Sequence, residues 1–163
     1  MKVTVIGIGQ TMRGDDAAGI EAVRRWERLY PNTAADPQVT VQYSELPGLS
    51  LLDLLDGFDG AVLVDAVESA AAAGQVYHLG PDQIDSFGHG GKTAHGWGVA
   101  ETLQLDRQVN PERAGLRVRL VGIEAAQVEM GSPLSASVEA ALPAACQAVE
   151  AEVQAMLAGS PLP

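Results

Sequence analysis

The chain opens on an apolar run from Lys2 to Ile8, passes through a glycine-rich stretch from Gly9 to Gly14, and then shows apolar positions at helical spacing, Ile20, Val23 and Trp26. That order predicts a strand, a turn and a helix over about Asp16–Tyr30, with these three side chains on its inward stripe and Pro31 helping to end it. After a loop holding Asn32, Asp36 and Pro37, the alternation of Val39–Tyr43 predicts a second strand. Leu49–Leu55 predicts a short leucine-rich helix stopped by Asp56 and Gly57. Gly60–Asp65 is a continuous apolar run of the kind that sheets bury on both faces, and it closes on a carboxylate. Gln75–Leu79 predicts a further strand, and the Gly74 turn before it predicts a hairpin with part of the Asp65 strand, hence a mixed sheet.

Farther along, Gly80–Lys92 is predicted to be mostly loop, with Gly88–Gly91 its most flexible part. Thr93–Leu103 predicts a loop running into a helix, with His95 near the helix start. Leu116–Ile123 alternates basic and apolar residues, which suits a strand toward one edge of the sheet. Ser135 opens a long helix to about Leu157, in which Leu142, Cys146, Val149, Val153 and Met156 recur at steps of three and four and so predict a buried face. Together these elements predict a three-layer α/β/α fold with a twisted, mostly parallel or mixed central sheet and helices on both faces. One domain over residues 1–158 accounts for the pattern, with a frayed tail at 159–163. There is no internal repeat.

Composition narrows the function. With 163 residues, 47% of them hydrophobic, the chain is long enough to bury a core without staples. Its net charge of −11 is spread along the sequence and speaks against nonspecific attraction to nucleic acid or anionic membrane. No run reaches the ~18 apolar residues of a membrane span, and a strand beginning within two residues of Met1 leaves no leader pattern, so the expectation is a cytoplasmic protein. A lone cysteine, Cys146, excludes an internal disulfide and fits a reducing compartment.

A helix start after a glycine-rich turn normally invites an anion, because backbone N–H groups and the helix dipole converge there. Here Asp15 and Asp16 already occupy that place. A dinucleotide fingerprint would want G-x-G-x-x-G, but after Gly7 and Gly9 the third position is Met12, and no P-loop is present. Glu45, an acid after the second strand, is the feature that a nucleotide-binding module would use. Asp16 after the first strand, Asp65 at the end of the central strand and His95 at a helix start fall at equivalent places. Two carboxylates and an imidazole make a divalent metal site with open positions, and such N/O ligands suit zinc or nickel better than calcium. Each residue also has a plainer reading: a helix cap or dipole partner for Asp15 and Asp16, a strand-end cap for Asp65, a hydrogen bonder for His95. His89 is a rival ligand in glycine-rich surroundings that are entropically costly to order, and His78 within a strand reads as structural. Cys146 lies on a core stripe, and neither a G-x-S-x-G elbow nor an H-E-x-x-H helix occurs, so thiol, serine and zincin chemistry lack support.

Four blocks in order, Gly7–Gly19 (G-I-G-Q-T-M-R-G-D-D-A-A-G), Val64–Ala66, His95–Leu103, and Val121–Glu124 followed by Leu134–Val138, resemble the hydrogenase maturation endopeptidases over nearly the whole chain. The resemblance implies a twisted α/β sheet with helices on both faces. It implies an aspartyl-type or metal-assisted endopeptidase that clips a C-terminal extension from the nickel-iron hydrogenase large-subunit precursor once nickel is inserted, with the bound nickel as recognition signal. Asp16, Asp65 and His95 become the metal-contacting and catalytic positions, nickel arrives with the precursor, and Zn or Cd substitutes in the isolated protein. Gln10 stands where the family commonly has Asn, Asp16 is shorter than the Glu found in some members, and Ser44–Gly48 departs from a Gly-Gly-Thr form. A noncatalytic nickel-centre chaperone or checking module on the same precursor is the alternative from another class.

Overall fold

The computed structural model describes residues 1–45, 48–69, 71–88 and 98–159, with the backbone alone for 85–88. Five strands form one sheet: β1 (Val3–Ile8), β2 (Val39–Ser44), β3 (Gly60–Val67), β4 (Val76–Leu79) and β5 (Arg117–Glu124). Their spatial order is β2-β1-β3-β5-β4, parallel throughout except that β4 runs antiparallel to β5. The helices are α1 (Ala18–Leu29), α2 (Pro31–Ala34), α3 (Ser50–Leu55), α4 (Pro81–Gly88), α5 (Val99–Val109) and α6 (Ala136–Leu157), and a 3-10 turn over Gly14–Ala17 leads into α1. This is the α/β fold expected, with a mixed sheet.

The alternation of side chains along β3 explains the layers. Val62, Val64 and Ala66 join a core with Ala22, Val23 and Trp26 of α1 and Leu142, Cys146, Val149, Val153 and Met156 of α6. Ala61 and Leu63 point the other way, into a core with Leu51 and Leu55 of α3, Ile84 of α4 and Val99 and Leu103 of α5. Every β3 residue is buried, which is why that strand lacks a polar face. The first face is further tied by Trp26 Nε1 and Thr33 Oγ1, which donate to the two oxygens of Glu150 on α6 at 2.9 and 2.8 Å. Ser135 caps α6, and Pro143 is tolerated inside that helix on its exposed side.

Several expectations need correction. Pro31 does more than help end α1, since it also opens α2, which takes up part of the predicted loop. The strand at Asp65 continues to Val67. β4 does not form a hairpin with β3, because β1 and β5 already occupy both edges of β3; it pairs with β5 instead, His78 opposite Val121. β5 consequently lies one place in from the edge. Its basic residues did not signal exposure: Arg119 is buried and clamped by Glu152 of α6, with Nε to Oε2 at 3.0 Å and Nη2 to Oε1 at 3.3 Å. Much of the predicted Gly80–Lys92 loop is α4, with Ile84 in the core. Positions 89–97, which contain His89 and His95, lie outside the described residues, as does the tail from 160 onward. Among the described residues no helix is long and apolar enough to cross a membrane.

The close seating of α1 on the sheet depends on a missing side chain. A Cβ at Gly19 would sit 2.2 Å from the carbonyl oxygen of Val64 and 2.4 Å from that of Ile8, both backbone atoms that cannot swing aside. Gly19→Ala is therefore expected to cost ~3 kcal/mol or more, seen as a fall in Tm, whereas Gly115→Ala, with open space around the new methyl, is expected to be neutral or slightly stabilising. Burial pushes the Cys146 thiol up from its ordinary value of 9.0, and its Sγ donates to Ala22 O at 3.4 Å. The unfolded chain ionises this thiol first, so its stabilising effect is fully present below that value and is lost as pH rises through the folded one. At pH about 8 a thiol reagent is expected to label native protein only as fast as it unfolds.

Candidate functional site

Open α/β sheets keep their sites at the carboxyl ends of the strands, where strand order reverses on either side of the first strand. In this sheet that place lies between β1 and β3, and two acids reach it. Asp16 sits in the 3-10 turn that follows β1 and packs against β3, while Asp65 lies near the end of β3, one residue past the last paired position, Gly7 with Val64. Both are buried, Asp16 fully and Asp65 to 2% exposure. Charged groups are rarely buried to this degree without a partner or a function.

The turn that carries Asp16 is shaped by a glycine. Gly9 adopts φ 140°, a conformation that favours glycine, and a Cβ there would lie 1.8 Å from the carbonyl oxygen of Asp16. The chain thus folds straight back on itself, and the backbone N–H of Gln10 donates to Asp16 Oδ2 at 3.0 Å. Asp65 shares the parity of Ala61 and Leu63 along β3, which places it on the sheet face covered by α3, α4 and α5. Its neighbour across the sheet is Gly122.

Asp15 and Asp16 do different things. Neither caps α1, whose N-cap has no side-chain hydrogen bond. Asp15 instead reaches across the molecule: Oδ2 accepts from the backbone N–H of Ala126 (2.8 Å) and Gln127 (3.0 Å), and Oδ1 from that of Ser135 (2.6 Å). Its own N–H donates to Gln127 O at 2.7 Å. One buried carboxylate therefore fixes the loop after β5 and the start of α6 against the turn that presents Asp16. Sequence reasoning had a signal for an acid here but none for its partners, which lie more than a hundred residues away.

Sequence reasoning passed over Glu124 as a site residue, although it closes an apolar strand as Asp65 nearly does. It is 1% exposed, and its Oε1 accepts from Ser69 N–H (2.7 Å) while Oε2 accepts from Ser69 Oγ (2.8 Å) and Tyr77 Oη (3.0 Å). Burial pushes the Tyr77 phenol up; its hydrogen bond with Ser69 opposes that shift and the one to Glu124 reinforces it. Glu124 thus pins the chain leaving β3. His78 is structural as expected, with Nδ1 3.1 Å from Glu152 Oε1. The third predicted ligand, His95, lies outside the described residues, and among the described residues no group of three or more His, Cys, Asp or Glu side chains gathers as a metal site.

Comparison with known proteins places this geometry. A family model described as hydrogenase maturation protease matches residues 23–152, a span that includes Asp65 and position 95 and begins after the Asp16 turn. The chain is 26% identical over 150 residues to the hydrogenase expression/formation protein HupD of Rhizobium leguminosarum bv. viciae, covering 90% of this chain and 71% of the relative. It is 26% identical over 136 residues to protein FrxA of Pyrococcus furiosus, covering 83% and 93%. Among solved structures, the hydrogenase maturating endopeptidase HybD from E. coli superposes with a TM-score of 0.78 at 23% identity, covering 94% of this chain and 93% of that one. The [NiFe] hydrogenase maturation protease HybD from Thermococcus kodakarensis gives 0.70 at 23% identity, covering 94% and 99%. At these identities the structures share the fold.

The contrast between the adjacent acids is open to test. Asp15→Asn replaces an acceptor oxygen by an NH2 group that faces N–H donors, so it is expected to cost ~2–4 kcal/mol and to lower Tm clearly in a thermal melt. Asp16→Asn keeps the side-chain volume and is expected to remain folded, with a smaller fall in Tm than Asp15→Asn. Equal melting of the two variants would contradict the division of roles.

Proposed function

The chain belongs to the hydrogenase maturation protease family, and from that premise we propose that it is an endopeptidase which removes the C-terminal extension of a nickel-iron hydrogenase large-subunit precursor after nickel insertion. The observation that carries this reading is the pair of buried carboxylates, Asp16 and Asp65, brought from separate elements to the switch point of the sheet. With His95 they form the proposed contact set for the precursor's nickel, and zinc or cadmium is the proposed substitute in the isolated protein. The proposed setting is the cytoplasm, without nucleic acid or membrane as partner.

Hydrolysis of the scissile amide joins a water oxygen to the carbonyl carbon, breaks the C–N bond and delivers a proton to the departing nitrogen. A carboxylate held at this edge can take the water's proton, and the same group, once protonated, can return it to the amine. A cation in the substrate, close to the same carboxylates, polarises the carbonyl or the water and orients the peptide. The fold supports both tasks, since the β3 strand end and the glycine-shaped turn are held by backbone bonds before any substrate arrives.

The test is incubation with nickel-loaded precursor followed by mass analysis of its C-terminus. Loss of the extension is expected, with casein, short peptides copied from the precursor's C-terminus and nickel-free precursor left uncut, and with serine, cysteine and aspartic protease inhibitors without effect. Asp16→Asn and Asp65→Asn are each expected to lower the rate at least ~100-fold while remaining folded, and Cys146→Ser to retain activity with some loss of stability. Tight binding of the loaded precursor with no truncation would instead support the checking-module alternative. Calorimetric titration with Zn, Cd or Ni is expected to show weak binding that Asp65→Ala and His95→Ala reduce; unchanged affinity in both would remove the metal-contact assignment.

A further inference from the structure

Beside Asp16, the same edge of the molecule carries an apolar feature that the carboxylate chemistry does not use. Met12, 66% exposed, and Met130, 70% exposed, lead the exposed large apolar side chains of the described residues. Single exposed apolar residues are ordinary. These two are unusual because their loops, from opposite ends of the chain, are zipped together. Gly131 N–H donates to Met12 O at 2.7 Å, Gly14 N–H to Ser132 O at 3.1 Å, and Arg13 Nε to Val128 O at 3.2 Å. The Asp15 carboxylate then locks the base of both loops. The two methionines are therefore presented from a backbone that is already ordered, so a partner loses little entropy in fixing it. The thioether side chains themselves remain adaptable, as suits contact with another protein.

Charge says what kind of partner fits. Exposed carboxylates flank the pair: Glu129 precedes Met130, and Glu45 Oε1 accepts from Thr11 Oγ1, next to Met12, at 2.9 Å. Arg13, next to Met12 in the chain, is half-buried and turned inward through its Nε. The whole chain carries −11. We propose that Met12 and Met130 form a docking platform for the precursor, receiving an apolar segment of its folded surface flanked by Lys or Arg and so aligning the scissile region over Asp16 and Asp65. This inference rests on the peptidase reading above. The platform supplies apolar contact, and the flanking acids supply orientation and rate of encounter.

Steady-state cleavage of nickel-loaded precursor separates docking from chemistry. The double variant Met12→Ser, Met130→Ser is expected to raise KM about tenfold, with kcat within about twofold of wild type and an unchanged melt. Met12→Leu, Met130→Leu is expected to restore KM, since leucine returns the apolar surface. Raising salt from about 50 mM to about 500 mM is expected to raise the wild-type KM, and the double variant Glu45→Gln, Glu129→Gln to flatten that dependence. If the serine variant cuts with wild-type KM, or loses kcat alone, the platform is overturned while the peptidase reading stands. If wild-type protein does not cut loaded precursor at all, both fall together.

Discussion

The contact on which this structure turns is the approach of α1 to the ends of two parallel strands. Gly19 places the helix backbone directly over the carbonyl oxygens of Ile8 and Val64, at a spacing that no side chain would allow. Because the helix starts so close to the sheet, the segment joining β1 to α1 has little room. It resolves the problem with Gly9 at φ 140° and a 3-10 turn, which is the tighter helix suited to short connections. That turn packs on β3. The approach of the Asp16 turn to β3, near whose end Asp65 lies, is thus a geometric result of glycine placement. The acids add charge to a site whose position the backbone has already determined.

Adjacent residues of the same type acquire opposite roles through the donors around them. Asp15 points into three backbone N–H groups from the segment between β5 and α6, and these bonds make it a fastener. Asp16 accepts from the backbone N–H of Gln10 within its own loop. Glu124 repeats the fastening motif on the far side, holding Ser69 and Tyr77 around the chain that leaves β3. The two acids of the proposed site are therefore accompanied by two that brace the chain around them. A substitution survey reading loss of activity alone would confuse the pairs, because a bracing acid also displaces the site when removed.

Much of the fold was legible because local periodicity reported burial directly: the stripe from Leu142 to Met156, the positions Ile20, Val23 and Trp26, and the doubly buried run Gly60–Asp65 all behave as their spacing implies. What failed depended on contacts distant in sequence. The basic alternation of β5 suited a place toward one edge, where it lies beside β4, but it held no sign that Arg119 finds Glu152 on a helix still to come and is buried with it. The place of β4 is decided by which strand edges are vacant, and no local pattern encodes that. α4 was hidden because Pro81, Gly88 and a mostly polar run around core residue Ile84 read as loop. At the candidate site, the acids after β1 and on β3 stood out as carboxylates closing apolar strands, whereas the identity of the fastener, Asp15 and not Asp16, followed from donors near residues 126 and 135.

On the peptidase reading, the acidity of the chain also bears on selectivity. A buried carboxylate attracts any cation brought near it. A generic peptide brings none, so it meets a negatively charged edge with no compensating contact and has no reason to stay. On the proposed function, a folded precursor carrying a divalent ion would supply the contact that a generic peptide lacks. Were that ion to assist cleavage as well as binding, recognition and chemistry would draw on a single interaction. A site that its substrate completes in this way would stay idle until the ion is in place, which is the selectivity the proposed function needs.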